Sequence, residues 1–187
     1  MPTIGWREPS SIEHSAVMTV GVMTAAQASQ IVESASAAGV QIWLMGGWGI
    51  DALLGRETRE HHDLDILVST TDLPALDSWL EESGFGRAYE WEENAPIDLD
   101  GGLWDTAFVA HHRDGREIDV HAIRIEGHSV SLATKDPWVL PSRPLDAAGT
   151  IGGRVVPCVT PEAQRAMHRG YELPQKHRED LHRLDHL

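Results

Sequence analysis

Apolar residues recur along the chain at two spacings, and the alternation between them predicts a mixed α/β fold. Apolar positions three and four residues apart, the period of a helix, predict a first helix over residues 25–38. Thr24 and Gln27 form a capping box at its start. The same spacing predicts another helix that begins at Thr71 or Asp72.

Short apolar and β-branched runs between the helices predict strands, because such residues fit a half-buried pleated sheet. Asp114 and Gly115 form a typical hairpin turn between two of them. The predicted strands span residues 41–45, 64–68, 85–91, 106–112, 116–125, 129–133 and 154–159. We expect irregular structure in the acidic segment 92–105 and in the proline-rich and glycine-rich segment 135–153.

Glycine and proline positions predict three further helices. Gly46 and Gly47 end the first strand, and a helix follows over residues 48–54 with Gly55 as its left-handed stop. The C-terminal helices are predicted over residues 161–169 and 175–186, with a break at Gly170.

The 187 residues suffice for one buried core with a small helical appendage. We expect a leader over residues 1–23, for which disorder is an alternative, and a single domain over residues 24–160. A C-terminal helical segment over residues 161–187 is expected to pack on this domain.

Charge narrows the range of partners. The 15 basic and 29 acidic residues give a formal net charge of −14. This charge argues against nucleic acid and against an anionic membrane surface as partners, and it suits a small cationic molecule. From charge alone, however, a simple role in solubility is the preferred explanation.

Cysteine content and hydropathy indicate the compartment. Cys158 is the single cysteine and cannot form an internal disulfide, which suits a reducing environment. No stretch approaches the ~18 consecutive apolar residues of a membrane span. Residues 1–24 lack the basic and apolar regions of a signal peptide. We therefore expect a cytoplasmic protein without a membrane partner.

A glycine pair early in the chain is a candidate phosphate site. Gly46 and Gly47 allow the backbone to approach a ligand closely. The helix predicted to begin at Trp48 offers unpaired N–H groups and a partial positive charge. Such a pair is weak evidence alone, since most glycine pairs are only turns, but a triphosphate could bind here.

Three acidic residues on predicted strands form a candidate metal site. Asp63 and Asp65 point to the same side of their strand, while Leu64 between them packs into the core. Asp119 alternates with apolar neighbours on a later strand and supplies a third carboxylate. Three carboxylates can hold two Mg²⁺ ions that bridge phosphate oxygens and activate an attacking hydroxyl. Surface acids explain one such pair, but they do not explain the order of all these features.

The same residues resemble the nucleotidyltransferase motif of the polymerase β superfamily. The run GGWGID at 46–51, followed by LLGR, TR, a histidine and the two aspartates, is typical of its small antibiotic-modifying branch. The chain is most similar to the lincosamide nucleotidyltransferases and next to the 2″-type aminoglycoside nucleotidyltransferases. The run IDVH at 118–121 and the tail 156–175, with Asp180 beyond it, extend the resemblance over most of the chain.

The resemblance implies a minimal nucleotidyltransferase fold, with a short mixed β-sheet, helices mainly on one side and two C-terminal helices that close over the cleft. The implied site consists of the nucleotide-binding Gly46, Gly47, Trp48 and Arg59 and of the catalytic, metal-binding Asp63, Asp65 and Asp119. Asp119 is either a metal ligand, the base that takes the acceptor proton, or both. For Arg59, an ion pair with Asp51 or Glu57 is the structural alternative.

The activity implied is a Mg²⁺-dependent transfer of AMP, or another nucleoside monophosphate, from ATP or another nucleoside triphosphate. The acceptor would be a hydroxyl of a small cationic molecule of the lincosamide or aminoglycoside type. Transfer to a protein or tRNA, as in toxin-type relatives, and a non-catalytic nucleotide sensor are the alternatives. A homodimer is also expected as an option, because so small a domain has little surface to enclose an acceptor.

Several polar and aromatic residues keep two interpretations. His61 and His62 before Asp63 resemble a hydrolase metal motif, but that motif lies on helices and here a strand follows. His121 is either a partner of Asp119 or a packed core residue. Trp91, Trp104, His168 and Tyr171 belong either to the site or to the packing. Glu117 stands where the lincosamide enzymes carry an apolar residue, so the resemblance assigns it no role.

Overall fold

Five α-helices and ten strands form the fold of the computed structural model, which describes residues 21–169 and 173–185. The helices are α1 (Ala25–Ala37), α2 (Gly46–Leu54), α3 (Leu73–Glu82), α4 (Pro161–Met167) and α5 (Gln175–Leu184). The strands are β1 (Ile42–Leu44), β2 (Asp63–Ser69), β3 (Phe85–Glu90), β4 (Ile97–Leu99), β5 (Gly102–Trp104), β6 (Ala107–His112), β7 (Glu117–Glu126), β8 (Ser129–Leu132), β9 (Ala147–Ile151) and β10 (Arg154–Cys158).

Eight of these strands form one mixed sheet, as the sequence predicts. Its order is β3-β6-β7-β2-β1-β10-β9, and β8 pairs with the far end of β7. The β2–β7 and β1–β10 pairs are parallel, and the other pairs are antiparallel. The long parallel β2–β7 pair at the centre brings two distant parts of the chain into one register.

The two faces of β2 bury different parts of the molecule. Leu64, Ile66 and Val68 are fully buried in the larger core, together with residues of α1 and α3. Leu67 points to the opposite face, where it packs with α4. Because strand side chains alternate, Asp63 and Asp65 share the face of Leu67. The C-terminal helices therefore lie on the carboxylate side of the sheet, and most other helices lie on the far side.

Local signals explain why most elements were predictable. The Thr24 hydroxyl accepts from the Gln27 backbone N–H at 3.3 Å, and the Gln27 side chain accepts from the Thr24 N–H at 2.9 Å. This confirms the capping box at the start of α1. Gly55 ends α2 with φ 67°, so the predicted left-handed stop is also confirmed.

Three predictions about local structure were wrong. Helix α2 begins at Gly46, not at Trp48, so both glycines lie inside its first turn. The segment 92–105 contains the β4–β5 hairpin, whose turn has Asp100 at φ 53° and Gly101 at φ 83°. The segment 135–153 contains β9, which pairs with β10 through a Gly152-Gly153 turn. Asp-Gly and Gly-Gly are hairpin signals, but the strands beside them are too short to show a clear period.

The ends of the described segments bear on the predicted domain limits. Met23 is fully buried, and its N–H donates to the carbonyl oxygen of His61 at 2.7 Å. The rest of the predicted leader, the break at Gly170 and Tyr171 lie outside the described residues.

No helix within the described part of the chain has the length and apolarity needed to cross a membrane.

Candidate active site

The acidic residues of β2 and β7 stand side by side in one pocket. The parallel register pairs Asp63 with Glu117 and Asp65 with Asp119. All four carboxylates line a pocket of about 240 Å³ on the face of the sheet that the C-terminal helices cover. The three aspartates predicted from sequence are therefore brought together, and Glu117, which had no assigned role, joins them.

Crowding of these carboxylates makes the pocket electrostatically unfavourable without a cation. Burial and the neighbouring charges of Asp63 and Asp119 raise the pKa of Asp65 well above its usual range. Lys176 and Arg59 oppose this shift only in part. The arrangement would thus gain free energy from bound positive charge.

The first turn of α2 packs directly against Asp65. Gly46 has φ 57°, and a Cβ at this position would overlap the Asp65 carboxylate. A Cβ at Gly47 would overlap Nδ1 of the buried His61 and would stand 2.6 Å from Nη2 of Arg59. Glycine is therefore required at both positions, and the N-terminal N–H groups of α2 open next to the carboxylates.

The Trp48 side chain does not face this pocket, although the sequence suggested it as a nucleotide contact. It is 1% exposed and packs in the larger core, with its ring centroid 4.5 Å from that of His61. Helix α2 begins two residues earlier than predicted, so Trp48 is its third residue. Its backbone N–H therefore lies in the first turn, while its side chain points into the core.

Asp119 is held by two neighbours. Nε1 of Trp91 donates to its Oδ1 at 2.7 Å, and Nε2 of His121 lies 3.1 Å from the same oxygen. His121 is 1% exposed, so its position is fixed by packing. The contact between His121 and Asp119, one of the two interpretations left open by the sequence, is present.

Arg59 lines the pocket, and its ion-pair partner comes from the C-terminal helix. Its Nε and Nη2 donate to Oδ2 of Asp180 at 3.1 and 3.0 Å. Asp51, one of the partners considered from sequence, instead accepts from the hydroxyl and N–H of Thr58 and lies 2.7 Å from Nε2 of His61.

His61 has a structural role at the back of the site. Burial alone would raise the pKa of Asp51, but hydrogen bonds from His61 and Thr58 outweigh it and lower that pKa. The His61–Asp51 pair is almost fully buried, and Asp63 follows on a strand. The hydrolase-type motif considered for His61 and His62 therefore has no support.

Several pocket residues were missed by sequence reasoning. Tyr89 lies edge-on to Trp91 with ring centroids 5.3 Å apart, and burial together with the Asp119 charge raises the Tyr89 pKa. The two-residue spacing of Tyr89 and Trp91 along one strand was an available signal. The pocket residues for which no local pattern existed are Met45, Gln164, Met167, Pro174, Lys176 and His177.

The remaining aromatic alternatives divide between site and core. Trp91 and His168 line the pocket, whereas Trp104 packs against the larger core. His168 stacks edge-on with His177, with ring centroids 5.0 Å apart. Burial lowers the pKa of His168, and burial with the His168 and Lys176 charges lowers that of His177 to about 4.

Metal-binding geometry is not preformed in this pocket. Over residues 21–169 and 173–185, no three His, Cys, Asp or Glu side chains already converge closely enough to enclose an ion.

Comparison with known proteins identifies the fold and the family. The family model described as aminoglycoside-2″-adenylyltransferase matches residues 27–184. A lincosamide resistance protein of Staphylococcus haemolyticus is 26% identical over 154 residues, which cover 78% of this chain and 84% of that protein. A 2″-aminoglycoside nucleotidyltransferase of Klebsiella pneumoniae is 39% identical over 61 residues, about a third of either chain (33% and 34%).

A crystal structure shows the same fold. The structure of a lincosamide antibiotic adenylyltransferase with lincomycin bound superposes with a TM-score of 0.72 at 24% identity, covering 88% of this chain and 98% of that one. The mixed sheet, its helices and the resemblance predicted from sequence are therefore confirmed. The chain belongs to the aminoglycoside-2″-adenylyltransferase family and is a nucleotidyltransferase.

Proposed function

We propose that the chain transfers AMP from ATP to a hydroxyl of a small cationic acceptor of the lincosamide or aminoglycoside type, with release of pyrophosphate. The observation that carries this proposal is the register of Asp65 with Asp119 beside the first turn of α2. It combines a carboxylate cluster with a phosphate-binding helix terminus in one pocket.

The triphosphate would bind at the start of α2. Gly46 and Gly47 allow phosphate oxygens to reach the unpaired backbone N–H groups, where the helix dipole favours negative charge. Arg59 and Lys176 line the same pocket and supply two cationic side chains. These charges matter in a protein whose formal net charge is −14.

Asp63, Asp65 and Asp119 would hold two Mg²⁺ ions. Carboxylate oxygens are the ligands that Mg²⁺ prefers, and the raised pKa of Asp65 supports a need for positive charge among them. The carboxylates would rotate towards the ions on binding. Bound Mg²⁺ supplies stabilisation of the phosphate charge and a lower pKa of the acceptor hydroxyl.

In the transfer step, the acceptor oxygen forms a bond to the α-phosphorus of ATP, and the bond from this phosphorus to the bridging oxygen breaks. The electron pair of that bond leaves with pyrophosphate. Asp119 takes the hydroxyl proton, whether or not it is also a metal ligand. Trp91 and His121 keep its carboxylate oriented for this role.

The acceptor would bind against Tyr89, Trp91 and Glu117. Aromatic faces and a carboxylate are suitable contacts for a sugar that carries amino groups. The acidic segment from Glu81 to Asp105 would attract such cations. The relatives' names, a lincosamide resistance protein and a 2″-aminoglycoside nucleotidyltransferase, support this acceptor class.

A homodimer and a cytoplasmic location belong to the same proposal. The pocket of about 240 Å³ is below the ~300–1,000 Å³ of sites that enclose drug-sized ligands, so a second copy could complete the acceptor side. Sedimentation analysis would distinguish monomer from dimer. The single Cys158 is compatible with the reducing cytoplasm.

Mass spectrometry of acceptors incubated with the protein, ATP and Mg²⁺ tests this function. We expect a lincosamide or an aminoglycoside to gain one AMP. If no member of a broad panel gains a nucleotide, the proposed acceptor class is wrong. Transfer of labelled nucleotide to macromolecules in a lysate would then indicate a protein or tRNA target.

A further inference from the structure

A partly buried ion pair joins the connector before β2 to the last described helix, α5. Arg59 donates twice to Oδ2 of Asp180, and Arg183 donates to Oδ1 of the same carboxylate at 2.9 Å. The Asp180 side chain is 3% exposed. A carboxylate removed from water is stable only when its oxygens are bonded, so this arrangement fixes the orientation of Arg59.

The fixed guanidinium lies over the first turn of α2. Nη2 of Arg59 stands 2.6 Å from the position of a Cβ at Gly47, and Arg59 lines the pocket with Asp65. Its hydrogen bonds to Asp180 and to the Glu60 carbonyl use three of the five N–H groups of a guanidinium. The other two can bind a phosphate without breaking the ion pair.

We propose that Asp180 is a positioning residue that holds Arg59 in the orientation in which it receives the phosphates of the nucleotide. This inference rests on the proposed function, since its ligand is a nucleoside triphosphate. Asp180 is not one of the described residues that line the pocket, so it acts through Arg59. The same pair anchors α5, the helix that carries Lys176 into the pocket.

Binding of a non-hydrolysable ATP analogue in the presence of Mg²⁺, measured by calorimetry, tests the proposal. Without Asp180, the long Arg59 side chain would sample several rotamers, and the phosphates would have to order it on binding. We expect Asp180→Asn to weaken binding about tenfold. Unchanged affinity in a folded Asp180→Asn variant overturns the proposal.

Asp185→Asn is the matched control. Asp185 follows α5 and pairs with Arg165 at 3.0 Å, but its side chain is 60% exposed. The substitution removes the same charge without touching Arg59. We expect wild-type affinity for the analogue, and an equal loss in both variants would point to net charge as the cause and overturn the proposal.

A double variant separates positioning from a general effect on α5. If Asp180 acts through Arg59, the Arg59→Gln/Asp180→Asn variant binds the analogue no more weakly than Arg59→Gln alone. Losses that add would show that Asp180 acts independently of Arg59 and would overturn the positioning role.

Arg59→Lys tests the proposal if Asp180→Asn does not fold, since the loss of a buried charge that is paired can be destabilising. Lysine keeps the charge but cannot make the paired Nε and Nη2 bonds. We expect it to bind as weakly as Arg59→Gln, and wild-type affinity would overturn the proposal. A wild-type protein that binds no nucleoside triphosphate would instead contradict the proposed function itself.

Discussion

Single residues determine how closely helix α2 approaches the carboxylates. Gly46 combines a left-handed φ of 57° with a Cβ position that the Asp65 carboxylate already fills. The importance of Gly46, Asp63 and Asp65 was predictable because glycine pairs and alternating acids are local patterns. The contact between Gly46 and Asp65 was not predictable, because it depends on where the helix starts.

Gly46→Ala should lower both stability and transfer. The left-handed backbone costs a non-glycine residue about 1–2 kcal/mol, and the overlap with Asp65 would push α2 away from β2. Thermal unfolding and transfer rate are the measurements. Gly55→Ala is the control, because Gly55 has φ 67° and no atom within 4 Å of its Cβ position. Equal activities of the two variants would contradict the close approach.

Asp65 and Asp51 should respond in opposite ways to replacement by asparagine. Asp65→Asn relieves repulsion from Asp63 and Asp119, so the melting temperature should stay unchanged or rise while transfer is abolished. Asp51→Asn removes an acceptor that is bonded to His61 and Thr58, and should cost about 1–3 kcal/mol of stability. Strong unfolding of Asp65→Asn would mean that this residue is structural.

At the scale of elements, the helices and most strands were predictable, and β4, β5 and β9 were not. Capping signals and apolar periods identified α1, α3 and α4 within a few residues. The hairpin β4–β5 and the strand β9 lie in segments where acidic residues, glycines and prolines interrupt the apolar pattern, so they were recognisable only by their pairing. The hairpin gives the acidic segment regular structure, and it places Trp104 on β5 against the core instead of in the pocket.

Removal of two helix caps should separate stability from binding. Thr24 caps α1 and Thr160 caps α4, each by accepting a backbone N–H at 3.3 Å. Each change to alanine should cost about 1 kcal/mol. Only Thr160→Ala should also weaken nucleotide binding, because α4 carries Gln164 and Met167 into the pocket. Urea unfolding and analogue binding would measure both effects, and equal affinities would argue against a role of α4 in the site.

At the scale of the whole molecule, the site joins parts of the chain that sequence patterns cannot connect. Arg59 and Asp180 are 121 residues apart in the sequence, and nothing local to Lys176 or His177 indicates that α5 returns to the pocket. The sequence came closer to predicting that Asp65 and Asp119 are neighbours, because both lie on strands that it predicts. Local patterns could therefore predict the glycines and aspartates that line the pocket, whereas only the resemblance placed the C-terminal helices over the cleft.

The most direct test of the central claim compares ATP labelled at the α-phosphate with ATP labelled at the γ-phosphate. Each is incubated with the protein, Mg²⁺ and an acceptor that the protein modifies. Nucleotidyl transfer predicts that α-label appears on the acceptor and γ-label in pyrophosphate. Chelation of the metal or the change Asp119→Asn should abolish both. Appearance of γ-label on the acceptor, or transfer that persists in Asp119→Asn at the wild-type rate, would contradict the account.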